Sequence, residues 1–118
     1  MKTQGPNSPV REVRWQDKQV VIDVAGDVDM GHSAAFQQCL SDVMAKAPAH
    51  VILDLAGVEY MDSSGIAALV KLHSQAKAAG ADLSLVAVHR NVRSILQITR
   101  LDGMFKVFDT EQEAIVSA

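Results

Sequence analysis

The order of segments along the chain predicts an α/β fold: a single small domain built on a mainly parallel mixed sheet of about five strands, with an antiparallel edge and about four helices. Three observations carry this expectation. The runs Val51-Ile-Leu-Asp-Leu55 and Leu83-Ser-Leu-Val-Ala-Val88 are too continuously apolar for half-exposed antiparallel strands and suit strands covered on both faces. Segments with helical spacing separate these runs, as right-handed crossovers between parallel neighbours require. The first two strand-like segments are joined only by a short turn, which makes them a hairpin.

Each element follows from local chemistry. Residues 1–9 include Gly5, Pro6, Asn7, Ser8 and Pro9, a composition expected of a flexible tail, so the domain is placed at 10–118. Val10 to Trp15 alternates apolar and polar side chains, Gln16 to Gln19 forms a turn, and Val20 to Ala25 is strongly strand-prone. Gly26 to Ser33 breaks the strand. Ser33 is then expected to cap a helix with Phe36, Cys39, Leu40, Val43 and Ala47 on one face, ended by Pro48. A second helix should run from about Ser64 to Ala79 and stop at Gly80, a residue suited to a left-handed position. Its main face carries Ile66, Leu69, Val70 and His73, and a milder stripe of Ala68, Leu72 and Ala76 marks a helix either deeply packed or offered to a partner. Asn91 is expected to cap a helix bearing Val92, Ile95, Leu96 and Thr99, closed by Leu101-Asp102-Gly103. Phe105 to Phe108 reads as a last short strand, and Thr110-Glu-Gln-Glu113 matches a capping box before Ala114 and Ile115.

Composition narrows the function classes. With 118 residues, 48% of them hydrophobic, the chain can fill a core of its own. A net charge of −3 with scattered Lys and Arg provides no broad basic field, so no direct nucleic-acid contact is expected. No apolar run of membrane-spanning length and no charged-then-apolar leader is present, so the expected location is cytoplasmic, without direct membrane insertion. The single Cys39 forms neither an internal disulfide nor a metal-ligand pair, and its spacing assigns it to the core.

The chemistry concentrates between Val51 and Ile66. Asp62-Ser-Ser-Gly65 follows a buried strand and opens a helix, placing two hydroxyls near backbone N–H groups and the positive end of a helix dipole. A serine at a strand-to-helix turn invites comparison with a hydrolase nucleophile. Here Gly65 fits the second glycine of the Gly-x-Ser-x-Gly elbow, but bulky Met61 stands at the first. His32, His50, His73 and His89 show no partner spacing. Asp27, Asp29, Asp54 and Asp62 lie near predicted strand ends or loops, the positions of a metal site and equally of solvated turn formers. Neither phosphate-cradling glycine motif occurs, so no cofactor is expected. A serine that is acted upon therefore fits better than one that acts, and no enzyme is expected. The alternative is that both hydroxyls only cap the helix.

The run Val51 to Ile66 resembles the signature of STAS domains, specifically bacterial anti-sigma factor antagonists, and the resemblance extends to Gly26-Asp-Val-Asp29, Ile98 to Phe105 and Thr110 to Ala114. Arg100 departs from it, standing where many of that family have glycine before Leu-Asp. The resemblance implies that Ser63 is phosphorylated by an anti-sigma factor that is itself a serine kinase, and that Asp29, Asp62, Ser63, Ser64 and Gly65 belong to the partner-binding surface. It further implies that the unphosphorylated chain binds the anti-sigma factor, that phosphorylation releases it, and that a PP2C-type phosphatase resets the switch. ATP and Mg²⁺ would belong to those partners. A non-switching STAS subunit of a lipid-transport ABC system, or of a signalling scaffold, is the alternative within the same family.

Overall fold

The computed structural model describes residues 8–117. Five strands, β1 (Val10–Gln16), β2 (Gln19–Ala25), β3 (His50–Gly57), β4 (Asp82–Val86) and β5 (Lys106–Phe108), form one sheet in the order β1-β2-β3-β4-β5. β1 pairs antiparallel with β2 and every other pairing is parallel, so the expected mixed sheet with an antiparallel edge is present. Four helices fill the crossovers and the end: α1 (Ser33–Met44), α2 (Ser63–Ala79), α3 (Arg90–Ile98) and α4 (Glu111–Ser117).

The alternation of side chains along a strand explains why β3 is apolar without interruption. Val51, Leu53 and Leu55 join Val20, Ile22, Val24 and Leu85 in the large core beneath α1, α2 and α3. Ile52 points the other way and meets Val21, Val86 and Ala114 beneath α4. Phe36, Cys39, Leu40 and Val43 bury the inner face of α1. On α2, Ala68, Leu72 and Ala76 are each 1% exposed, so the second stripe packs inward. Cys39 lies in the core with its Sγ 3.3 Å from Ser8 Oγ. Ser8 and Pro9, which the sequence assigns to the tail, are buried, and the Pro9 carbonyl accepts a hydrogen bond from Ala25 N–H at 2.9 Å. The rest of the tail, residues 1–7, lies outside the described residues.

Both edges of the sheet are blunted. β1 is irregular between Val10 and Glu12 and carries charged side chains outward, and β5 has three residues.

Several boundaries depart from the sequence reading for local reasons. Ser33 is the first residue of α1 rather than its cap, and His32 precedes it without a side-chain capping bond. Ala47 leaves the helical face because the last turn tightens, with Lys46 N–H bonding Val43 and Ala47 N–H bonding Met44, before Ala47 turns at φ 56°. β4 ends at Val86 because Ala87 also adopts a positive φ, 56°. The cap of α3 is His89, whose Nδ1 accepts from Asn91 N–H at 3.2 Å, while the Asn91 side chain donates to the Glu59 carbonyl. α3 closes earlier than expected, at Thr99 and Arg100. Leu101 N–H returns to the Leu96 carbonyl at 2.8 Å, a wrapped helix end that forces Arg100 to φ 62°. Glycine would take that conformation without strain. The capping box of α4 forms as expected: Glu113 N–H donates to Thr110 Oγ1 at 3.2 Å, and Glu113 Oε1 accepts from the backbone of Asp109 and Thr110.

α4 is fastened to the sheet by charges as well as by its apolar face. Arg14 Nη2 lies 3.0 Å from Asp23 and 2.9 Å from Glu111. Asp54 joins this group; burial first, and then its hydrogen bond with Glu111, push its carboxyl up to about 6, whereas Glu111 is held below its ordinary value. His50, on the same sheet face, is 5% exposed with its Nε2 2.8 Å from Ser84 Oγ. Burial lowers its pKa, so it is neutral at neutral pH.

Two outcomes are expected. Arg100→Gly should raise stability by about 0.5–1 kcal/mol in urea unfolding, since only glycine takes the left-handed conformation freely. Asp54 binds its proton more tightly folded than unfolded, so its contribution is complete below its ordinary value of 3.8 and is lost as pH rises through about 6. Asp54→Asn, which keeps a hydrogen bond to Glu111 without titrating, should remove this loss when unfolding is compared between pH 5 and pH 7.

Candidate functional site

The predicted site residues gather at the carboxyl ends of β2 and β3, where parallel α/β sheets open outward. The two strands stay paired beyond the regular sheet. Gly26 N–H donates to the Gly57 carbonyl at 2.9 Å, Val28 N–H to Tyr60 at 3.1 Å, and Asp62 N–H to Val28 at 3.2 Å, with an isolated parallel bridge between Val28 and Met61. Val28, Val58 and Met61 are fully buried and anchor both loops in the core.

Asp62, rather than either serine, caps α2. Its backbone is extended, and its Oδ1 accepts from Ser64 N–H at 2.9 Å, Gly65 N–H at 3.2 Å and the Ser64 hydroxyl at 2.5 Å. Its Oδ2 accepts from Met30 N–H at 3.0 Å, tying the first loop to the helix. The Ser64 hydroxyl bond leads the causes that hold the Asp62 carboxyl below its ordinary value; burial comes next and opposes it, and the backbone N–H groups of Gly65, Ser64 and Met30 add to the lowering. Asp62 is thus ionised at neutral pH.

The two serines are unequal. Ser64 is half-buried and committed to Asp62. Ser63 is exposed, and its hydroxyl makes no hydrogen bond among the described residues. Gly65 is needed for close approach: a Cβ there would stand 2.5 Å from the Val28 carbonyl oxygen and collide with the Met61 side chain. Asp29 shapes its own loop. Its Oδ1 accepts from Gly31 N–H at 3.1 Å and lies 2.6 Å from His32 Nδ1, and its carbonyl accepts from His32 and Ser33 N–H.

Neither enzymatic arrangement weighed from the sequence assembles among the described residues. His32 pairs with Asp29, His50 with Ser84, His73 packs edge-on against Phe105, and His89 caps α3, so none is hydrogen-bonded to Ser63. Asp27, Asp29, Asp54 and Asp62 do not converge. The carboxylates that do converge are Asp23, Asp54 and Glu111 on the α4 face, where Arg14 supplies the opposing charge. Sequence spacing could not foresee that trio, because the sheet register and the docking of α4 create it.

The geometry defines a class: a small mixed-sheet α/β protein presenting a helix-opening serine on a pair of clasped loops. The STAS domain model matches residues 11–114, and the chain belongs to the STAS domain family. Among its relatives is the anti-sigma-F factor antagonist RsfB of Mycobacterium tuberculosis, 26% identical over 110 residues that cover 93% of this chain and 89% of RsfB. The crystal structure of an anti-sigma factor antagonist from Mycobacterium paratuberculosis superposes with a TM-score of 0.84 at 26% identity, covering 97% of each chain. The phosphorylated form of Bacillus SpoIIAA shares the fold with a TM-score of 0.72 at 21% identity, covering 90% of this chain and 96% of that one. No helix among the described residues is long and apolar enough to cross a membrane.

Gly65→Ala should lower stability by about 1–3 kcal/mol through overpacking. Gly103→Ala is the control, since a Cβ there meets nothing within 4 Å. Urea unfolding of both variants measures the difference.

Proposed function

We propose that the chain is an anti-sigma factor antagonist whose binding to an anti-sigma factor with serine kinase activity is switched off by phosphorylation of Ser63. The observation that supports this best is the division of labour at the start of α2. Asp62 takes over capping and occupies Ser64, so the capping reading does not account for Ser63, whose hydroxyl is exposed and uncommitted. The antagonists among the chain's relatives supply the partner class. In the transfer, Ser63 Oγ forms a bond to the terminal phosphorus of ATP, the bond from that phosphorus to the ADP oxygen breaks, and the serine proton passes to a base of the kinase or to water.

A phosphate adds about −1.5 to −2 charge units. The backbone donors of Ser64 and Gly65 already serve Asp62, so the new group stays on the outward side of the helix beside an ionised carboxylate. It therefore blocks a surface by volume and by charge, and the fold persists. A phosphatase of the PP2C type would restore the free hydroxyl.

Intact-mass spectrometry with site mapping, on protein isolated from growing and stressed native cells, tests this directly. The expected result is a condition-dependent single phosphate on Ser63, absent in Ser63→Ala and retained in Ser64→Ala. Ser63→Asp should bind the kinase at least tenfold more weakly than Ser63→Ala. A Ser63 that stays unmodified in every condition, in a protein that co-purifies with a transporter ATPase, would favour the non-switching alternative.

A further inference from the structure

We infer that Met30 is the apolar anchor by which the kinase of Ser63 grips this protein, received by an apolar socket edged with cationic side chains. The inference rests on the phosphorylation reading above and specifies the surface that reading requires.

Ser63 lies in the first turn of a 17-residue helix whose Gly65, Ile66 and Leu69 are buried, so the segment cannot be drawn out as an extended peptide without unfolding the core. A kinase must recognise the folded surface around the hydroxyl. Two large apolar side chains stand out on the clasped loops: Met30, 80% exposed, and Tyr60, 49% exposed. Single exposed apolar residues are ordinary on protein surfaces, and Ile98 and Val116 are of that kind. What separates Met30 is its support. Its N–H is held by Asp62 Oδ2 at 3.0 Å, and the backbone on its far side is closed by the Asp29 carbonyl, which takes His32 and Ser33 N–H. The side chain therefore projects from a backbone fastened to the same carboxylate that caps the Ser63 helix, so binding has the Met30 side chain to order but little of the backbone beneath it. Methionine's unbranched, polarisable chain suits an anchor that must settle into a foreign pocket.

Charge selects the chemistry of the socket. Asp27 and Asp29 share the loop of Met30, Asp62 lies beneath it, and Glu59 adjoins Tyr60. The cationic side chains nearby are Arg11, whose guanidinium lies against the turn at Gly26, and Arg90, which opens α3 where Asn91 reaches the Glu59 carbonyl; the His32 ring is paired with Asp29. A partner surface edged with Lys and Arg is favoured here and an acidic one is repelled.

The test replaces Met30 by Leu, Gln, Glu and Lys in the full chain in native cells, with Ile98→Asp as a distant control, and reads phosphate occupancy on Ser63 by intact mass early after induction. Thermal unfolding of each purified variant confirms folding; should the charged variants fail to fold, Met30→Gln against Met30→Leu decides. Leu and the Ile98→Asp control are expected within twofold of wild type, Gln several-fold lower, and Lys at least tenfold lower, with Glu less impaired than Lys. Gln and Lys variants phosphorylated within twofold of wild type would overturn the anchor and leave the phosphorylation reading standing. Glu impaired more than Lys would overturn the cationic edge. A wild-type chain carrying no phosphate on Ser63 in any condition removes both the reading and the anchor.

Discussion

The Asp62 carboxylate is the constraint on which the arrangement of the candidate site depends. One oxygen gathers three donors from the first turn of α2, and the other holds Met30 of the neighbouring loop. Helix start, loop position and the inequality of the two serines are thereby a single arrangement. Asp62 takes the capping role and leaves the Ser63 hydroxyl exposed, while the Ser64 hydroxyl is bonded to Asp62.

The sheet makes this arrangement possible. β2 and β3 run parallel and leave the core together, and their pairing continues through Val28 and Met61 after the regular strands end. Loops with such backbone contacts pay their ordering entropy during folding rather than on encounter with a partner. Gly57 and Gly65 permit the approach: a Cβ at Gly57 would stand 2.7 Å from the Ala25 Cβ, and one at Gly65 would press on the Val28 carbonyl. The two glycines thus set how closely the paired loops approach.

Much of this was legible in the amino acids because the informative signals were local. The doubled burial of β3, the stop at Gly80 with φ 72° and the Thr110–Glu113 box each depend on a few neighbouring residues, and each appears where the pattern placed it. Caps were harder. Ser33 and Asn91 are favoured capping residues, yet the residues before them occupy the caps, and the Asn91 side chain is drawn away to the Glu59 carbonyl by tertiary contact. Strand and helix ends failed where Ala47, Ala87 and Arg100 adopt positive φ, a conformation that residue identity alone does not announce in these side chains. The grouping of Arg14 with Asp23, Asp54 and Glu111 joins residues almost a hundred positions apart, and only sheet register and helix docking could reveal it. For the candidate site, the Asp-Ser-Ser-Gly run marks the start of α2 but not which member caps it, because that depends on the extended backbone of Asp62.

The blunted edges of the sheet carry a consequence for how this molecule meets others. On one side, a charged and irregular hairpin strand offers a poor template; on the other, a strand of three residues offers almost none. Neither border offers the long, flat template on which another chain could extend the sheet. What the molecule presents to others is side chains rather than unpaired backbone, and contacts built from side chains can form and dissolve without leaving backbone hydrogen bonds to be broken.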